Sequence, residues 1–211
     1  MPLRFSYCPE KVVQAIAFFA SNDLPCLSKL KVHKLLYFAD KAHLLKYGRP
    51  IIGDEYFCLP LGPLPSNADN LLDEAEMSPD LQPSPDSLFA EYLEVDRQPT
   101  YPEYRAKKAC NLDVFSESEL EVLEQVVGKY GSHHPLALAR LTHCEPDWQI
   151  ANRDRAPHGR ANMPYELFFE GQPEEVRRVL EWAEADQEDR DFSYAFVAAA
   201  REALSPTRRA G

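Results

Sequence analysis

The chain has 211 residues, 45% of them hydrophobic and 11% aromatic, with a formal net charge of −11. That length and apolar content suit a folded globule of one domain, or one domain with an appended piece, and exclude a disordered chain. The acidic excess opposes general binding to nucleic-acid phosphates, and no apolar run approaches the roughly 18 residues of a membrane span. Met1 to Glu10 lack the charged start and apolar stretch of a secretory signal, so the expected location is the cytoplasm. Cys8, Cys26, Cys58, Cys110 and Cys144 contain no CxxC pair and read as reduced, partly buried thiols.

Pro9 to Asn22 opens with a proline suited to a first helical turn and continues with Val12, Val13, Ile16 and Phe19 at helical spacing. Ser28 is a plausible N-cap for a second helix carrying Leu35, Leu36, Phe38, Ala39 and Ala42, which ends at Gly48. From Ser28 to Arg49 six basic residues stand against Asp40 alone. Their simplest reading is the solvated face of an amphipathic helix. Tyr56-Phe57-Cys58-Leu59 is a short strand-like run, and Pro60, Gly62, Pro63 and Pro65 are expected to forbid regular structure after it. Ser66 or Asn67 can cap a third helix through Leu71, Leu72 and Met77, and the proline-bearing Ser78 to Ser87 reads as a surface loop.

Phe89 to Val95 and Tyr101 to Cys110 are strand candidates, forming a hairpin or a small sheet together with Tyr56 to Leu59. Ser116-Glu117-Ser118-Glu119 is a capping box before Leu120, Leu123, Val126 and Val127, and Gly131 ends that helix. His134 to Thr142 is another short helix, Pro146-Asp147-Trp148 opens a turn, and Arg153 to Asn162 is a loop. Tyr165 to Phe169 is a short aromatic helix. Pro173 to Gln187 is a longer one with Val176, Val179, Leu180 and Trp182 on its apolar side. Phe192 to Ala203 is a last amphipathic stretch before a basic, frayed tail. The fold class read from these elements is mainly α: a compact helical domain with a small β-hairpin or short antiparallel sheet.

The run Lys34-Leu35-Leu36-Tyr37-Phe38-Ala39-Asp40-Lys41-Ala42-His43-Leu44 is followed by Tyr47-Gly48-Arg49-Pro50-Ile51, Gly53-Asp54-Glu55-Tyr56 and Leu61-Gly62-Pro63-Leu64-Pro65. Together with Ser132, Leu141-Thr142-His143 and Pro146-Asp147-Trp148 downstream, these residues resemble the signature of the Panacea (SocA-like) antitoxin domain. The two blocks extend over about Val12 to Phe169. The resemblance implies a mainly helical domain over residues 1–170, with an acidic helical extension over 171–211 packed on it. It implies no enzymatic activity, no cofactor and no metal. It further implies a partner, the cognate protein toxin encoded by the adjacent gene, neutralised by direct binding. SocA-like members act as proteolytic adaptors that hand the toxin to the ClpXP protease, and the same role is expected here.

A binding role suits the residues themselves. A rigid proline-glycine loop beside aromatic side chains loses little entropy on binding and makes a reasonable hot-spot surface. The expected surface from the segment Pro50 to Pro65 comprises Tyr56, Phe57, Leu61, Gly62 and Pro63. Tyr37, Lys41 and Trp148 complete it. Those prolines and glycines serve equally well to turn the chain around a core, and both readings stand at this level. A DNA-binding autoregulator is the alternative function; its only candidate reader is the basic helix with His33, Lys34 and Lys41, and the acidic surroundings disfavour it. His143-Cys144 invites a thiol-nucleophile reading, but adjacent helical residues point about 100° apart. His133, His134, His143 and Cys144 have no recognised metal-ligand spacing.

Overall fold

The computed structural model describes residues 3–77 and 87–204. Helix α1 (Pro9–Ser21) begins on its proline and buries Val12, Val13, Ile16 and Phe19. Helix α2 (Lys29–Tyr47) follows Ser28 and stops at Gly48, whose φ of 73° is open to glycine without penalty. It is the axis of the molecule. Its buried residues run nearly without a break from Lys31 to Leu44, polar and apolar alike. A helix buried on every side is expected to be apolar on every side; this one is not, so its polar groups require internal partners.

Strands β1 (Tyr56–Leu59) and β2 (Gly62–Pro65) form an antiparallel hairpin in which Leu59 faces Gly62 and Tyr56 faces Pro65. The prolines therefore do not forbid regular structure, as their number suggested. β2 is an edge strand in the order β2-β1-β5, and behind a two-residue turn Pro63 and Pro65 fall at positions facing the open edge. The third strand, β5 (Ala161–Asn162), lies within the stretch read as loop and pairs with Phe57 and Cys58.

Helix α3 (Ser66–Glu76) has no cap from Ser66 or Asn67. Asp54 supplies it from twelve or more residues upstream, accepting from the Asn67 N–H at 2.9 Å and the Ala68 N–H at 2.8 Å. The expected loop at Ser78 to Ser87 lies outside the described residues except for Ser87. Ser87 caps helix α4 (Leu88–Tyr92), accepting from Ala90 N–H. Phe89 to Tyr92 is thus helical, and only β3 (Leu93–Asp96) is extended; it pairs with β4 (Glu103–Ala106) as the anticipated hairpin. This hairpin forms its own two-stranded sheet, apart from β1.

Helix α5 (Glu117–Tyr130) carries both halves of the Ser116–Glu119 capping box. Helix α6 (Pro135–Thr142) follows His134 as expected, whereas Pro146 opens a full helix, α7 (Pro146–Asp154), and not a turn. A 3₁₀ turn at Tyr165–Phe169 packs Tyr165 and Phe168 against Tyr37 and Tyr56, with ring centroids 5.3–6.0 Å apart. The two expected C-terminal helices are one, α8 (Glu174–Leu204), because nothing between Gln187 and Phe192 breaks a helix. Helix α8 lies on α2 through Val179 and Ala183, which approach Gly48. Trp182, placed by periodicity on the apolar side, is 72% exposed. The tail after Leu204 lies outside the described residues. No helix among the described residues is long and apolar enough to cross a membrane.

Candidate partner-binding site

Three of the five lysines of α2, Lys31, Lys34 and Lys41, are buried. Lys31 Nζ donates to Pro25 O at 2.5 Å and Gly131 O at 2.6 Å, tying the loop before α2 to the end of α5. One turn on, Lys34 Nζ donates to Pro63 O at 2.6 Å, holding the outer edge of β2. Lys41 Nζ donates to Asp147 Oδ1 at 2.8 Å and Glu145 Oε2 at 2.7 Å, and Tyr37 OH donates to Asp147 Oδ2 at 2.6 Å. On another face Asp40 accepts from the backbone N–H groups of Ile51 and Ile52 at 2.8 and 2.9 Å and from Tyr56 OH at 3.1 Å. Burial pushes the Asp40 carboxyl up to about 7, against the opposing effect of those donors. The expected solvated basic face is confined to the end of the helix, where Lys46 and Arg49 are exposed: Lys31, Lys34 and Lys41 are all buried. With His33 buried as well, the helix offers none of the side chains named as DNA readers.

The same geometry relocates most of the expected surface. Tyr37, Lys41 and Tyr56 are interior, so the aromatics are not exposed as the loop reading supposed. Gly62 and Pro63 lie buried in β2, and Phe57 is half-buried with the Arg160 guanidinium 4.1 Å from its ring centroid. Trp148 is buried; its indole N–H donates to Leu59 O at 3.2 Å and its ring stacks 4.0 Å from His143. Of the eight residues, Leu61 alone stands out in solvent, at 52% exposure. It sits at the hairpin tip. Trp148, one of the other seven, helps to place it: Trp148 and Lys34 hold the two strands, and Thr142 fills the space beside Gly62.

Leu61 does not stand alone. It lines a groove of about 540 Å³ with Leu30 of α2, Tyr101 and Pro102 of the β3–β4 loop, and Pro135 and Leu136 of α6. Tyr101 and Leu136 are 73% and 49% exposed, so three large apolar side chains from three separate segments meet at one concave surface. Such a convergence is unusual for surface that has no partner. Sequence reading missed Tyr101, Leu136 and Leu30. The available signal was weak: a leucine directly after the Pro135 that starts a helix, and an aromatic between Pro99 and Pro102.

The thiol reading finds no support in the local geometry, since His143 is committed to its stack on Trp148 and Cys144 Sγ lies 3.5 Å from Arg140 O. Among the described residues no group of three His, Cys, Asp or Glu side chains is arranged to hold a metal ion.

Beneath the groove, burial pushes the Lys34 ammonium down from its ordinary value near 10.5 to about 7. Between those values the unfolded chain binds the proton that the folded chain releases, so stability from this group rises with pH over the window and is lost as pH falls through 7. Lys34→Met is expected to remove that slope, whose limit for one proton is about 1.4 kcal/mol per pH unit. Urea unfolding of both proteins from pH 6 to pH 9 reads it. Parallel pH profiles would show that Lys34 stays charged in the fold.

A family model described as antitoxin SocA-like, Panacea domain, matches residues 32–149, more than half of the chain. No curated protein and no solved structure matches. The matched segment runs from the buried lysines of α2, through both strands that end in Leu61, to the Asp147 and Trp148 that anchor them. By that match the chain belongs to the family of SocA-like antitoxins with a Panacea domain.

Proposed function

We propose that this protein is the antitoxin of a toxin–antitoxin pair, acting in the cytoplasm, and that it neutralises the protein encoded by the adjacent gene by binding it directly. Family membership carries the reading. The groove between Leu61, Tyr101 and Leu136 supports it physically, because exposed apolar anchors framed by rigid turns are what an interface hot spot requires. The toxin is then handed to ClpXP. In this scheme residues 1–170 hold the toxin, and the extension over 171–211, which carries the exposed Trp182 on an acidic helix, faces the protease.

Co-expression with the neighbouring gene product tests the first step. The expected results are restored growth and a one-to-one complex on size-exclusion chromatography; a toxin that stays active and unbound would overturn the antitoxin role. For the second step, purified ClpXP should degrade the toxin faster when this protein is added. An unchanged toxin half-life would reduce the mechanism to masking.

A further inference from the structure

The groove has a charge as well as a shape. Its rim includes Glu76, Glu103, Lys29 and His134. Lys29 is already neutralised, with Asp69 Oδ1 at 2.8 Å and Asp73 Oδ1 at 2.5 Å. His134 Nδ1 accepts the Leu136 N–H at 3.3 Å, which uses its lone pair as the cap of α6. The two carboxylates have no such cation. Glu76 accepts only the Tyr104 hydroxyl, and Glu103, half-buried at the start of β4, has no cationic side chain within 4.0 Å among the described residues. An apolar trough is thus bordered by acid that has no direct ion-pair partner among the described residues, the buried Lys31 ammonium acting on Glu103 only from beyond 4.0 Å.

From this we infer that the groove takes a segment of the toxin that presents apolar side chains to Leu61, Leu136 and Tyr101 and a lysine or arginine to Glu103. The inference rests on the antitoxin reading above and adds the chemistry of the bound segment. Apolar contact supplies most of the affinity, as buried anchors do in other interfaces. The cation at Glu103 supplies register and association rate, since a rim carboxylate facing an opposite charge steers encounter and excludes like-charged competitors. The net charge of −11 over the whole chain acts in the same direction at longer range.

The test measures binding of the purified neighbouring gene product to the full chain and to Leu61→Asp, Leu136→Asp, Glu103→Gln and Glu103→Lys, at two salt concentrations. All three positions are at least partly exposed, so thermal unfolding should match wild type and certify the fold. Each leucine variant is expected to weaken binding by at least about thirtyfold. Glu103→Lys should weaken it by about tenfold, mostly through a slower association rate, with a flatter salt dependence and Glu103→Gln in between. Wild-type affinity in both leucine variants would overturn the groove as the site while leaving the antitoxin role intact. Weak leucine variants with an unchanged Glu103→Lys would overturn the basic residue. A chain that dimerises by itself, and is made monomeric by Leu61→Asp, would overturn the toxin as occupant in favour of a second copy. Absence of any complex with the wild-type chain would fail the antitoxin reading itself.

Discussion

Asp147→Ala is expected to lower the free energy of unfolding by about 3–5 kcal/mol, the range for removing one partner of a buried ion pair. Asp147 has no exposed side-chain surface and joins two groups of α2 at once, Lys41 Nζ at 2.8 Å and Tyr37 OH at 2.6 Å. Its loss leaves the Tyr37 hydroxyl without an acceptor, and Lys41 keeps Glu145, which is partly open to water, and a long contact of 3.4 Å to the Tyr37 hydroxyl. Against a typical total of about 5–15 kcal/mol this is a large fraction. By contrast the Lys46–Glu121 pair, with both side chains about half exposed, is screened by water and contributes little. Urea-denaturation midpoints read the difference. The companion variant Lys41→Met/Asp147→Leu should recover most of the loss, because an apolar pair of similar volume carries no uncompensated charge. A loss below about 1 kcal/mol for Asp147→Ala would show that the charge finds water and that the network is not sealed.

The second large effect is expected at Gly62. Its φ is 101°, a region that strains any other residue by about 1–3 kcal/mol. A Cβ there would stand 2.3 Å from Thr142 Oγ1 and 3.0 Å from Lys34 Cε. Neither neighbour is free to withdraw: Thr142 Oγ1 donates to Ala139 O at 2.7 Å, and Lys34 Nζ holds Pro63 O. Gly62→Ala is therefore expected to displace the hairpin, break the Lys34 contact and destabilise the protein by about 3 kcal/mol or more. Because Leu61 is the adjacent residue, the same change should weaken toxin binding, whereas Leu61→Ala should weaken binding and leave stability intact. Thermal unfolding together with a binding titration separates the two. Thr142→Ala in the Gly62→Ala background should restore part of the stability by removing the clashing hydroxyl; no recovery would assign the whole effect to backbone strain.

Local chemistry explains why some elements were legible from residues alone. The capping box at Ser116 and Glu119, the stop at Gly48 and the proline start of α1 depend on neighbours within one helical turn, and each is found as read. The Panacea signature was legible for a related reason: its residues form one interlocked network, so their order along the chain carries the fold's imprint. Orientation was not legible. Periodicity assigns a lysine beside an apolar stripe to water, because burying a lone ammonium is too costly. Here the cost is met by partners that the chain supplies from afar: Gly131 for Lys31, 100 residues away, and Asp147 for Lys41, 106 residues away. The same distance hid the cap of α3, which comes from Asp54, and the groove, whose exposed side chains belong to three segments. By itself, then, the sequence determined the mainly helical architecture, the β3–β4 hairpin and the family. Only the tertiary structure decided that most of the signature faces inward and that Leu61 alone of its expected contacts stands out in solvent, since burial and satisfaction of charge are set by residues that meet only after the chain has folded.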